Sequence, residues 1–258
     1  ASPASPVDYQ AAPVQTIRTN VLGTLNALDF ARAHGARMLL TSTSEVYGDP
    51  QVHPQTEAYR GHVNPVGPRS CYDEGKRCAE ALTVAHARQH GTQVRLARLF
   101  NTYGPRLRPQ DGRVVSTFIT SALRAEPLPL HGDGRQTRSF CYVSDTVRGL
   151  LALMAQERVT GPINLGNPQE VSMHALAAMV LRLTGSNAGV RTLPAREEDP
   201  RCRQPDISQA QRWLEWQPEV PLVQGLAQTI EWFRAQGAVG ADRLPCGSQP
   251  VVDLAANT

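Results

Sequence analysis

Met38-Leu39-Leu40-Thr41-Ser42-Thr43-Ser44-Glu45 opens as an apolar run and breaks into hydroxyls and a carboxylate, the way a buried strand, here Met38 to Ser42, runs out at a polar surface. On its amino side Val21, Leu25, Leu28 and Ala31 recur at helical spacing, predicting a helix from about Val14 to His34 that Gly35 stops. On its carboxyl side a loop rich in Gly, Pro and His runs from Ser44 to Arg69. A second helix is predicted from about Tyr72 to His90, closed by Gly91. Val94 to Phe100 then alternates like a strand, and Asn101-Thr102-Tyr103-Gly104-Pro105 turns away from its end. Helix, strand, helix, strand in this order predicts an α/β fold with parallel packing, and ligands bind at the carboxyl ends of such strands.

After Arg113 the rhythm is less regular. Val114 to Leu123 reads as a helix, Leu128 to His131 as a short strand, and Gly132-Asp133-Gly134 as a turn. Phe140 to Val143 leads into a helix from Ser144 to about Gln156, for which Ser144 and Asp145 are capping candidates. Ile163 to Leu165 is a further short strand, and helices follow from Ser172 to Thr184 and from about Leu222 to Arg234. Beyond Gly237 the small, polar composition predicts a loosely held tail.

Of 26 basic residues only Lys76 is a lysine, and it stands four positions after Tyr72 in Ser70-Cys71-Tyr72-Asp73-Glu74-Gly75-Lys76-Arg77. On a helix the two side chains share a face. A compact ammonium beside a phenol favours phenolate and lowers the pKa towards that of a working base, a task ill suited to a planar guanidinium. Tyr-x-x-x-Lys also describes an ordinary pair on a solvated helix; the solitary lysine favours the catalytic reading. The hydroxyls and carboxylate of Thr41 to Gly48 would face whatever Tyr72 faces.

Net charge is only +3 with scattered arginines, so no nucleic-acid surface is expected, and no apolar run approaches the length of a membrane span. No basic stretch followed by an apolar core opens the given sequence, so no secretory leader is expected within it. Five cysteines without Cys-x-x-Cys spacing fit reduced thiols in a cytosol better than disulfides or a zinc site, so no metal is expected.

Thr41-Ser42-Thr43-Ser44-Glu45-Val46-Tyr47-Gly48 followed by Pro68 to Arg77 resembles the extended short-chain dehydrogenase/reductases that act on nucleotide sugars. Arg98 to Arg106, Asp111 to Ser116 and Gly132 to Phe140 extend the resemblance, which runs from Ala1 to about Arg234 and is nearest to the UDP-glucuronate decarboxylases. It implies a Rossmann-like parallel sheet with a smaller mixed α/β substrate lobe: residues 1–112 in the nucleotide domain, 113–236 mainly in the lobe, and 237–258 as tail. It implies NAD as cofactor, UDP-glucuronate as substrate, and a homodimer formed through the two long helices. Tyr72 would be the base at the sugar C4 hydroxyl, Lys76 would hold the nicotinamide ribose, and Thr43 would bind the C4 oxygen. Glu45 and Arg138 would assist loss of carbon dioxide. Ser44, Asn26, Asn101, Arg113 and Gln136 would contact substrate, Thr102 would contact the cofactor, and Asn20 would pack beneath the site.

The Gly-x-x-Gly-x-x-Gly turn for the dinucleotide pyrophosphate is not found in this sequence. In the family it precedes the position matching Ala1 by part of roughly 80 residues, judged from the size of βα units. A 4-epimerase or 4,6-dehydratase of the same fold, and a non-catalytic sugar-nucleotide binder, are the alternative readings.

Overall fold

A computed structural model describes residues 2–195 and 202–237; the expected tail at 238–258 lies outside them. A short helix α1 (Pro6–Ala11) leads into α2 (Pro13–Ala33), then β1 (Met38–Thr43), a 3-10 turn (Ser44–Tyr47), α3 (Ser70–His90) and β2 (Val94–Leu99). The pairing is parallel, from Met38 opposite Val94 to Thr43 opposite Leu99. Strand β3 (Thr102–Tyr103), helix α4 (Val114–Leu123), strands β4 (Leu128–His131), β5 (Thr137–Ser139) and β6 (Cys141–Tyr142), and helix α5 (Val143–Ala155) follow. Next come β7 (Ile163–Leu165), β8 (Glu170–Ser172), α6 (Met173–Thr184), β9 (Val190–Leu193), α7 (Ser208–Leu214) and α8 (Leu222–Ala235).

Strand β7 returns to the first half and pairs in parallel with β2, giving the order β1-β2-β7. The pleat sorts side chains to opposite faces. Leu40 and Leu96 meet Ala79 of α3, whereas Ala97, Ile163 and Leu165 pack with Leu153 of α5, Ala210 of α7 and Trp216. Covered on both sides, β2 does not alternate between core and water as its sequence suggests; even Arg95 is buried, giving its guanidinium to the Gln156 carbonyl. Around a second core of Phe118, Leu128, Leu176, Leu226, Ile230 and Phe233 sit the parallel pair β4-β9 and helices α4, α6 and α8; the antiparallel pair β5-β8 joins it through Val171. The result is α/β, with parallel strands in one half and mixed pairing in the other.

Strands β8 and β9 and helices α1 and α7 are not foreseen in the sequence, and one expectation is corrected. Asp145 does not cap α5: its buried Oδ2 accepts from the backbone N–H groups of Glu219 and Val220 and ties down the approach to α8. Among the described residues no helix is long and apolar enough to cross a membrane.

Between the sheet and α3 lies a charged pair. Arg98 donates to both oxygens of Glu80 at 3.0 and 2.7 Å, and Ser42 adds a third bond to the same carboxylate at 2.6 Å. Removing one partner strands a buried charge, so Glu80→Ala is expected to lower unfolding stability by about 3 kcal/mol. Urea denaturation checks this; a loss under about 0.5 kcal/mol would show that water already screens the pair.

Candidate active site

The carboxyl ends of β1 and β2 open onto a cavity of about 360 Å³, which the second half closes from the other side. Thr43, Ser44 and Glu45 enter it because β1 ends there and tightens into the 3-10 turn, where Thr43 Oγ1 accepts from the Glu45 N–H at 3.2 Å. Tyr72 and Lys76 enter one helical turn apart on α3. Gly75 between them admits α2, since a Cβ there would lie 3.0 Å from Asn20 Nδ2, and so Asn20 packs beneath the site as expected. Asn101, just past the end of β2, and Thr102, at the start of β3, line the cavity, Arg113 lines it from the start of α4, and Gln136 and Arg138 from the second half. Asn26 is not brought there: it sits exposed on the outer side of α2.

Tyr72 is 6 % exposed and lies flat against Tyr9 of α1, ring centroids 5.0 Å apart. Burial pushes its phenol up to about 12, the carboxylates of Glu45 and Asp73 add to the rise, and the Thr43 hydroxyl bonded to it and Arg113 oppose it. The expectation that Lys76 lowers this pKa is therefore not met in this state. Its Nζ lies 5.9 Å from the ring centroid and donates to the Thr41 carbonyl at 3.0 Å, and burial lowers the lysine's own pKa. Desolvation disfavours both charged forms and outweighs their mutual attraction.

Glu45 is the most heavily paired group of the site. Arg203 grips both its oxygens, with the Nη2 contact at 3.1 Å, and Arg69 donates to Oε2 at 2.5 Å. Burial would raise its carboxyl, but the two guanidiniums hold it well below the usual carboxylate range. Arg138, expected from the resemblance to assist the same step as Glu45, lines the cavity from the second half of the chain and donates to the Thr137 carbonyl at 2.8 Å. The sequence reading missed Arg203, which lies in an irregular stretch, and Tyr9, on a helix too short to show a period. Arg69 stood in plain view inside the Pro68–Arg77 motif. Arg113 is committed to Asp111, and Gln136 to the His131 carbonyl at 2.7 Å.

Four buried side-chain polar atoms lack a hydrogen-bond partner among the described residues, and three of them, Tyr9 OH, Asp73 Oδ1 and Arg203 Nε, surround Glu45 and Tyr72.

The architecture defines an α/β protein with a Tyr–Lys pair at the carboxyl edge of a parallel sheet. The chain belongs to the NAD dependent epimerase/dehydratase family, whose sequence profile it matches over residues 1–166. It is 55 % identical over 236 residues to UDP-glucuronic acid decarboxylase 1 of Xenopus tropicalis, covering 92 % of this chain and 56 % of that protein. The chain thus spans little more than half the length of that relative. Among solved structures, UDP-glucose 4-epimerase of Thermotoga maritima with UDP-glucose superposes with TM-score 0.85 at 30 % identity, over 92 % of this chain and 76 % of that one. The UDP-glucuronic acid 4-epimerase of Bacillus cereus, in complex with UDP-glucuronic acid and NAD, gives 0.77 at 27 % identity, over 85 % and 68 %.

Asp73 supplies a pH test. Burial, then Glu45, raise its carboxyl to about 7, while Arg69, 3.9 Å away, only partly compensates. A carboxyl raised on folding contributes stability that is full below its unfolded value near 4 and lost as pH rises through the folded value. Asp73→Asn is therefore expected to leave Tm unchanged near pH 4 and to raise it increasingly up to pH 8. A Tm difference that does not vary over that range would show that Asp73 is not held protonated.

Proposed function

We propose that the full-length protein converts UDP-glucuronate to UDP-xylose and carbon dioxide, with NAD as resident cofactor. In this reading residues 1–112 carry the nucleotide half of the site, and 113–236 mainly the substrate lobe. One observation carries the reading: a Tyr72–Thr43 hydroxyl pair shares a cavity with a carboxylate locked in the fork of a buried arginine. The first pair suits oxidation at a sugar hydroxyl. The Glu45–Arg203 pair sets fixed charge beside it, where a substrate carboxylate must lose its solvation before it can leave.

The residues fit the nicotinamide-ribose portion of NAD: Lys76 and Tyr72 for the ribose hydroxyls, Thr102 at the neighbouring strand end. Held there, NAD would supply a reversible hydride acceptor for C4 and would not be consumed overall. As phenolate, favoured by the Lys76 ammonium once the cavity is filled, Tyr72 takes the C4 hydroxyl proton while Thr43 holds the oxygen. Oxidised at C4, the sugar is a β-keto acid, and the electrons of the bond to the carboxyl carbon flow into the C4 carbonyl as carbon dioxide departs. C5 then takes a proton from solvent in place of the lost carboxylate, and Tyr72 returns its proton to the C4 oxygen. Arg203 stabilises the negative charge that builds up on the enolate. Glu45, charged and paired, fixes Arg203 and is not the proton donor in the state described. Ser44, Asn101, Arg113 and Gln136 hold the sugar nucleotide, with Arg113 suited to its diphosphate. Arg138 remains a substrate contact from the second half of the chain.

The outer side of α2 exposes Val14, Ile17, Leu22 and Leu25, an apolar stripe that supports a homodimer through this helix. The four cysteines among the described residues are free thiols, which favours a reducing, cytoplasmic setting. A 4-epimerase acting on UDP-glucuronate is the second reading, favoured by the structural likeness to the Bacillus cereus enzyme.

Proton NMR of the full-length protein with UDP-glucuronate separates the two: UDP-xylose is expected, and UDP-galacturonate alone would sink the decarboxylase reading. Within the same assay Tyr72→Phe is expected to abolish turnover with UDP binding intact. Lys76→Arg is expected to be severely impaired although it keeps the charge. Arg203→Met is expected to lose at least about a hundredfold in kcat, and more than Arg138→Met; the reverse order would return the catalytic cation to Arg138.

A further inference from the structure

Arg203 has no helix or strand beneath it. Cys202 to Ile207 is irregular apart from one isolated parallel bridge, between Pro205 and Gln55. Yet its guanidinium sits on both oxygens of Glu45, and contacts of that kind lose their effect when displaced by about 1 Å.

What fixes this segment lies behind the cavity. The Gln55 N–H donates to the Gln204 carbonyl at 2.9 Å, and the Asp206 N–H donates to the Gln55 carbonyl at 2.9 Å. Gln55 Oε1 accepts from the Gln204 N–H at 2.9 Å, and its Nε2 donates to the Val52 carbonyl at 2.8 Å, which fixes the amide's orientation. Asn164, on β7, ties in both sides: Nδ2 donates to the carbonyls of Gln55 at 3.0 Å and Asp206 at 3.1 Å. Its Oδ1 accepts from the Tyr47 hydroxyl at 2.8 Å, and Tyr47 closes the same 3-10 turn that carries Glu45. Gln55 and Asn164 are both fully buried, and neither lines the cavity. Every side-chain amide hydrogen-bonding group has work here that a hydrocarbon of the same shape could not do.

We infer that Gln55 and Asn164 are positioning residues for the decarboxylation, setting Arg203 against Glu45 through the backbone of Gln204 to Asp206. Through Tyr47, Asn164 registers the opposite side of the same contact. The inference rests on the function proposed above and adds to it two residues that touch neither substrate nor cofactor.

The test is a double-mutant cycle in the full-length protein, with initial rates of UDP-xylose formation followed by proton NMR. Gln55→Met is expected to lower kcat at least about tenfold while KM stays within about twofold. In an Arg203→Lys background the same change is expected to cost less than about twofold, because its effect passes through Arg203. Should Gln55→Met fail to fold, Gln55→Asn, which keeps the amide and withdraws it by one methylene, completes the same cycle. A loss below twofold in the otherwise unmutated protein, or the same factor in both backgrounds, overturns the positioning role. Absence of UDP-xylose from the unmutated protein overturns the proposed function instead, and is seen before any variant is made.

Discussion

A carboxylate drawn largely out of water must be given its counter-charge by the protein, and in this chain that demand is made by Glu45. Isolated burial of such a group costs far more than a domain's net stability, so the fold meets it with two guanidiniums from two distant segments. Meeting it joins three pieces of chain: the turn after β1, the residue before α3, and the irregular stretch after β9. The end of the parallel sheet, the start of the Tyr–Lys helix and the rim of the substrate lobe are thereby held together. Much of the remaining polar architecture, including the Arg98–Glu80 pair and the amides of Gln55 and Asn164, keeps these pieces in register.

The same low-polarity setting governs the Tyr–Lys pair. A phenol raised to about 12 and a lysine lowered by the same burial are both displaced towards their neutral forms. A charge entering the cavity would be felt by both more strongly than in open water, since burial reduces the screening around them.

Legibility from sequence followed local periodicity. The first parallel pair, α4, β4, β7 and the Tyr72–Lys76 face were readable because helical or strand spacing, glycine stops and a single lysine announce them. Strand β2 was recognised, but its charged residues disguised its burial; only tertiary partners such as Gln156 and Glu80 let Arg95 sit in the core and Arg98 lie half-buried. Asp145 looked like a cap from its place at a helix start, although its partners lie more than seventy residues away. Arg138 and Arg203 differ in their contacts through three-dimensional placement alone, and no spacing rule connects Arg203 to Glu45. Asn26 lies on the right helix but the wrong side of it, which resemblance of residue type does not register.

That separation has a kinetic meaning. Glu45 and Arg203 stand 158 positions apart, and Gln55 and Gln204 stand 149 apart, whereas the long helices close over four residues at a time. Closing so long a loop carries an entropic cost before any contact rewards it, and contacts of this order form late in folding and open early under stress. The chain can therefore hold its helices and its sheet while its reactive centre is still unassembled. Circular dichroism would count such molecules as native, and only turnover would tell them apart.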